Sequence, residues 1–173
     1  HKRITGDKYD QFIENFMRAV VRRFGQETLI QFEDFANHNA FRLLEKYKEV
    51  YCTFNDDIQG TASVGLAGLL AAARITGKVS NQKFLFYGAG EASIGIAYLT
   101  CLAMHREGLS FDDAKKRIFL IDSKGLVVKS RTDITEQKRM FAQDYEFIKG
   151  LENIVKEIKP SALIGAAAQA AAY

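Results

Sequence analysis

The sequence predicts an α/β fold in which mostly parallel strands are covered by helices, and three observations carry that prediction. Short apolar runs alternate with longer segments whose apolar residues recur at helical spacing, almost throughout the chain. One of those runs, 83–87, passes straight into a glycine-rich turn and then a helix. The 173 residues are 47% hydrophobic and 26% charged, a globular balance that argues against disorder.

Phe12, Ile13, Phe16, Met17, Val20, Val21 and Phe24 repeat at helical spacing, and Gly25 stops them. The run 28–32 reads as a buried strand that delivers Glu33 and Asp34. Ala40, Phe41, Leu43, Leu44 and Tyr47 form a second amphipathic helix, with Asn37 or Asn39 as its cap. A strand over 50–54 delivers Asn55, Asp56 and Asp57, and Gly60 and Thr61 open a small-residue helix reaching about residue 75. Gly77 and Lys78 begin a loop that marks a domain boundary, giving domains 1–77 and 78–173.

Beyond that loop come a strand over 83–87, the glycine-rich turn 88–95 and a helix over 94–107. Ser110 or Asp112 caps a short helix to Lys116, and the strand 117–121 is closed by Asp122, with a turn at Ser123, Lys124 and Gly125. Helices over 135–145 and 151–158, a break at Pro160 and a strand over 162–165 complete the pattern. In parallel sheets, ligands bind at the carboxyl ends of the strands, so the chemistry is expected where these strands stop.

Net charge is +3 and the basic residues are scattered, which gives no track for nucleic acid. The apolar stretch 62–73 is interrupted by Ser63 and glycines and is expected to stop short of a membrane span. Cys52 and Cys101 are far apart and form no C-x-x-C, so a reduced, cytoplasmic setting is expected, with the mitochondrial matrix as the alternative. A first residue of His1 and an alanine-rich end both read as cuts, so the chain is expected to be an internal piece of a longer protein.

Between the strand 83–87 and its helix lie Gly88, Ala89, Gly90, Glu91, Ala92, Ser93, Ile94 and Gly95. Glycines let a backbone turn tightly and approach a pyrophosphate, and the helix N-terminus offers N–H groups to the anion. The third small position is Ser93 rather than glycine, and an ordinary strand–helix turn has the same local pattern. Asp122 ends the next strand, where a ribose-binding acid is expected, although farther from Gly88 than usual. An acid alone favours a free 2′-hydroxyl; a small hydroxyl and a lysine, Ser123 and Lys124, can accept a 2′-phosphate. A Rossmann-like NAD(P)-binding domain follows from this order.

Glu33 with Asp34, and Asp56 with Asp57, end two neighbouring strands and would repel unless neutralised by a cation or a lysine. Oxygen-only ligands suit Mg²⁺ or Mn²⁺. His38, the nearby imidazole, is expected to be structural.

These residues resemble malic enzymes. The segment 29–37 around Glu33, Asp34 and Asn37 looks like that family's first metal motif, 52–70 looks like its signature, and 86–92 its dinucleotide turn. The resemblance implies oxidative decarboxylation of L-malate to pyruvate and CO₂ with reduction of NADP, or alternatively NAD, in the presence of Mg²⁺ or Mn²⁺. It implies that Glu33, Asp34 and Asp57 ligate the metal and that Asp56 orients the catalytic lysine, Asp56 and Asp57 being the catalytic carboxylates of this piece. It puts Gly88, Gly90, Glu91, Ala92 and Ser93 at the pyrophosphate, Asp122 near the ribose, and Asn37 and Thr61 toward the cofactor. Ser123, Lys124 and Lys138 resemble the NADP-using members. The family's catalytic tyrosine and lysine lie upstream of His1, so the piece alone is expected to be inactive, and neither Lys46 nor Lys48 fills that role. The segment 166–173 departs from the family pattern. A homo-oligomer, commonly a tetramer in the family, is implied, with no membrane or nucleic-acid partner. A different two-domain dehydrogenase would explain the glycine turn and Asp122 but not the strand-end carboxylates; a non-catalytic dinucleotide module is the third reading.

Overall fold

The computed structural model describes residues 3–167; His1, Lys2 and the tail after residue 167 lie outside the described residues. The chain divides into two compact units, His1–Asp56 and Asp57–Tyr173.

In the first unit, helix α1 (Asp7–Phe24) turns Ile13 and Met17 into a small core. Strands β1 (Ile30–Phe32) and β2 (Thr53–Asn55) pair in parallel, joined by helix α2 (Asn37–Tyr47). Ile30, Phe32, Leu43 and Tyr47 complete the core. Each such fully buried side chain contributes about 1.5–3 kcal/mol of transfer free energy. The apolar stripe read from α1 is wider than its buried face, since Phe12, Phe16 and Phe24 are exposed. The cap position of α2 is not an asparagine. Ala36 holds the cap position at φ 60 without a side-chain cap bond, and Asn39 Oδ1 instead accepts from Arg42 Nε at 3.0 Å.

A π-turn (Asp56–Gly60) begins at the last residue of the first unit and leads into α3 (Thr61–Thr76) of the second, which packs along α4 (Glu91–Arg106). The packing is close enough that a Cβ at Gly65 would lie 2.7 Å from Ile96 Cγ1. This contact puts α3 with the second unit, so the division between units falls ahead of the Gly77 and Lys78 loop. Contrary to the expectation for 62–73, the π-turn prolongs α3 into a stretch of 21 residues, Asp56–Thr76, holding an 18-residue window of mean hydropathy 1.3 that is 11% buried. By length and composition it could cross a membrane, a property that core helices of soluble proteins share.

Strands β3 (Phe84–Tyr87), β4 (Ile118–Asp122), β5 (Gly125–Leu126) and β6 (Ala162–Gly165) form one sheet in the order β5-β4-β3-β6. β3 pairs in parallel with both β4 and β6, while β5 returns antiparallel through the tight turn after Asp122. Phe84, Leu85 and Phe86 are all buried, as befits a central strand with both faces covered. A 3-10 turn (Val79–Asn81) precedes β3. Ser110 caps α5 (Phe111–Lys115), accepting from the Asp113 N–H at 3.1 Å. The helix expected over 135–145 is a single turn, α6 (Glu136–Arg139). Beyond it, Gln143 bridges to Val128, and its side-chain amide donates to the Lys115 and Ile118 carbonyls at 2.8 and 2.5 Å. These buried tertiary bonds outweigh the local helical preference. Helix α7 (Leu151–Ile158) seals the sheet with Ile154 and Ile158 against Leu85, Phe119 and Ile121. Cys52 and Cys101 are both free thiols, and burial pushes Cys101 up to about 12.

Candidate metal centre and dinucleotide site

The register of the first sheet pairs Phe32 with Asn55, so the residues that follow leave the two strands side by side. On one strand these are Glu33 and Asp34, on the other Asp56 and Asp57. After β1 the chain swings through two left-handed positions, Asp34 at φ 59 and Ala36 at φ 60. Neither is glycine, and backbone of this kind costs roughly 1–3 kcal/mol per residue, a strain that concentrates at functional sites. Glu33, Asp34 and Asp57 each offer a carboxylate oxygen, and the three atoms lie within 4.8 Å of one another. Gln31 Nε2 donates to Glu33 Oε2 at 3.0 Å and to Asp56 Oδ2 at 3.3 Å, tying the two strand exits together.

His38 lies on the surface, its ring nitrogen 3.1 Å from the Asn39 amide; it lines a pocket with Glu33 and Asp34 but is not one of the three clustered ligands. Lys46 pairs with Glu14 at 3.1 Å and lies over the Tyr47 ring, and Lys48 pairs with Glu45 at 2.7 Å. Asn37 is the first residue of α2, and its side chain lies outside the described set; Thr61 is the exposed first residue of α3.

At the dinucleotide turn, Gly88 has φ 114, and a Cβ there would sit 2.5 Å from the Ala166 carbonyl oxygen. Both facts require glycine. Gly90 is the N-cap of α4 and supplies no side-chain cap, so the first-turn N–H groups of Glu91, Ala92 and Ser93 face the turn as an anion-binding helix end does. Ser93 Oγ is buried and takes no hydrogen bond within the structure. Burial, and then the negative charge of Asp57, raise the Glu91 carboxyl above its ordinary value. Gly95, read as part of the turn, lies inside α4; a Cβ there would collide with the Ile58 carbonyl oxygen, which makes it a packing position.

Asp122 ends β4 with a side chain only 10% exposed. Its Oδ1 accepts from Arg131 Nη1 at 2.9 Å and from the Lys124 N–H at 3.0 Å; its Oδ2 accepts from Arg131 Nη2 at 3.0 Å and Lys138 Nζ at 2.8 Å. Against the opposing effect of burial, Arg131 and then Lys138 hold its carboxyl down to about 2. Asp133 completes the group, 3.0 Å from Arg131 Nε and 2.6 Å from Lys124 Nζ, and is itself held far below the ordinary carboxylate range, by Arg131 first and Lys124 second. Sequence reasoning passed over Arg131 and Asp133. Their only local signal is a charged R-T-D triplet, and their partners lie two and nine residues away across a turn.

The four-stranded sheet, with its central strand running into a glycine turn and a helix, defines a Rossmann-like nucleotide-binding fold. Family models agree: one described as the malic enzyme NAD binding domain matches residues 58–173, and one described as the malic enzyme N-terminal domain matches residues 1–48. The chain belongs to the malic enzyme family. It is 59% identical to the NADP-dependent malic enzyme of Mus musculus over 100% of this chain and 30% of that protein. It is 54% identical to the mitochondrial NADP-dependent malic enzyme of Homo sapiens over 100% of this chain and 29% of that one. Among solved structures, Entamoeba histolytica malic enzyme superposes with a TM-score of 0.68 at 25% identity, covering 91% of this chain and 32% of the other. The NAD-dependent malic enzyme of Thermotoga maritima gives 0.69 at 23% identity, covering 97% and 43%, a likeness of fold. The chain thus spans about 30% of the length of the curated relatives it matches.

Proposed function

We propose that the protein to which this chain belongs catalyses the oxidative decarboxylation of L-malate to pyruvate and CO₂, reducing NADP, with NAD as the alternative, and depending on Mg²⁺ or Mn²⁺. The observation that carries this reading is the meeting of Glu33, Asp34 and Asp57 oxygens within 4.8 Å, in a chain of this family. Three like charges that close favour a cation, and an all-oxygen donor set fits a hard divalent one. A cation bound there would supply Lewis-acid stabilisation of negative charge on substrate oxygen.

Glu33, Asp34 and Asp57 would hold the cation, while Asp56, steadied by Gln31, keeps a carboxylate ready to orient a catalytic lysine. Gly88 and Gly90 leave room for a pyrophosphate, and the N–H groups of Glu91, Ala92 and Ser93 receive it. The orphaned Ser93 hydroxyl is a polar atom that such a group could satisfy. Asn37 and Thr61 are assigned toward the cofactor, and Ser123, Lys124 and Lys138 toward a 2′-phosphate. Asp122 serves the ribose end indirectly: its oxygens already accept four hydrogen bonds, so it fixes Arg131 and Lys138 instead of accepting from a ribose. The names of the mammalian relatives support NADP. The metal-binding domain would end, and the dinucleotide domain begin, between the Asp57 break and the Gly77 and Lys78 loop.

A homo-tetramer in the cytoplasm belongs to the same proposal. Identity of 59% to the mouse enzyme, against 54% to the mouse mitochondrial form, supports the compartment, with the mitochondrial matrix as its alternative. Sizing and fractionation of the full-length protein test both points. Full-length protein given L-malate, NADP and Mn²⁺ is expected to form NADPH and pyruvate, less with NAD and none after chelation, whereas the 173-residue chain alone forms none. NADPH formation that persists in chelator, or no malate-dependent reduction of either dinucleotide, sinks the reading.

A further inference from the structure

A pocket of about 550 Å³ beside the turn from β4 to β5 is lined by Ser123, Lys124, Arg131, Asp133, Phe147 and Lys149. Three of these side chains are cations and one is an anion. The guanidinium of Arg131 is 8% exposed and is held as a rigid plate, with Nη1 and Nη2 locked on the Asp122 carboxylate. Its other edge faces Asp133, whose Oδ1 lies 3.0 Å from Nε and whose Oδ2 lies 3.1 Å from Nη2. The same Oδ2 is 2.6 Å from Lys124 Nζ. One carboxylate thus spans an arginine edge and an ammonium group, as two oxygens of a phosphate would. Unlike the buried Asp122, it stands at the mouth of the pocket, its side chain 35% exposed and that of Lys124 65% exposed. Lys138 is not among the lining residues; it reaches Asp122 instead.

We propose that Asp133 is the resident counter-ion of a 2′-phosphate seat: it occupies the Arg131 edge and the Lys124 ammonium that the 2′-phosphate of NADP would take, and so limits the preference for NADP over NAD. The inference rests on the reading that a 2′-phosphate binds beside Ser123 and Lys124. A dianion entering the seat must displace this carboxylate or lie within a few ångströms of it, and either lowers its affinity. A dinucleotide without the 2′-phosphate brings no charge there and pays no such penalty.

The test is binding, not turnover, on the full-length protein, with 2′,5′-ADP and 5′-AMP as probes. Asp133→Asn keeps the shape and removes the charge. It is expected to tighten 2′,5′-ADP about 3- to 10-fold, to leave 5′-AMP within about twofold, and to lose part of the gain at high salt. Asp133→Ser should behave alike, and Asp133→Glu, which keeps the charge, should bring no gain. Lys124→Gln should weaken 2′,5′-ADP relative to 5′-AMP. If both neutral variants leave 2′,5′-ADP unchanged or weaken it while Lys124→Gln still weakens it, Asp133 is no competitor and the phosphate reading stands without it. If Lys124→Gln leaves the two probes equally affected, the phosphate reading itself fails and takes this inference with it.

Discussion

Two sites at strand tips in this chain carry aspartates and treat them in opposite ways. At the exits of β1 and β2, Asp34 and Asp57 are gathered with Glu33, like charge beside like charge. At the exit of β4, Asp122 is enclosed by Arg131 and Lys138, so that each charge has its opposite within 3.0 Å. The residue type and its place at the end of a parallel strand are the same. What differs is the company each keeps, other carboxylates in the first case and cations in the second. A carboxylate enclosed by cations fixes its neighbours; carboxylates converged upon one another repel, and a cation bound among them would relieve that repulsion.

The sharpest way to break this comparison is to remove a charge from the converged site. Asp57→Asn in the full-length protein should lower Mn²⁺-dependent malate oxidation by about 10²-fold or more and raise the Mn²⁺ concentration needed for half-maximal rate. The same change should abolish the stabilisation that Mn²⁺ gives the folded protein. Thermal unfolding with and without Mn²⁺ checks this, since an ion that binds only the folded state raises the wild-type midpoint and should fail to raise the variant's. A variant that still responds to Mn²⁺ as the wild type does would contradict the contrast.

Much of both tips was legible in the sequence, for reasons that differ. The strands that deliver Glu33, Asp56 and Asp122 are short apolar runs ended by polar residues, and local patterning places them to within a few positions. Gly88 announces its turn because nothing else fits φ 114 against the Ala166 carbonyl. The left-handed Asp34 and Ala36 were invisible, since alanine gives no hint of positive φ and the strain is held by surrounding structure. The helix over 135–145 was overextended because its competitor is a buried amide reaching back to Lys115 and Ile118. Arg131 was missed altogether: it lies in an irregular segment between β5 and α6, where no helical or strand repeat points to its partners two and nine residues away.

The paired tip is sharpened by removing its cation. Arg131→Ala leaves Asp122 buried with one of its two cationic partners gone, and truncating one side of a buried pair costs about 3–5 kcal/mol. Because Lys138 and the Lys124 N–H remain, the lower end, about 3 kcal/mol, is expected as a fall in the urea midpoint of the full-length protein. Removing both charges together, in Arg131→Met with Asp122→Asn, should cost clearly less than the two single changes summed, which a double-mutant cycle reads directly. Additive losses would mean that the two side chains are not coupled and that the enclosure is incidental.

The smallest expected effect is the pH dependence that separates the two tips. Asp122 is depressed in the folded state, to about 2 from an ordinary 3.8. A depressed acid contributes stability that is fully present above its unfolded value and is lost as pH falls through its folded one. Asp122 should therefore add roughly 1–2 kcal/mol at neutral pH, undiminished down to about pH 5 and fading between about pH 4 and 2. Glu91 moves the other way, raised by burial and by Asp57, so its ionisation opposes folding and protonation on acidification relieves that opposition. Unfolding free energy measured against pH should accordingly show an acid limb that Asp122→Asn flattens in the window below pH 4, at the cost of lower stability at pH 7. If the acid limb of Asp122→Asn is as steep as that of the wild type, the cations around Asp122 do not set its titration, and the distinction between an enclosed and a converged carboxylate loses its electrostatic basis.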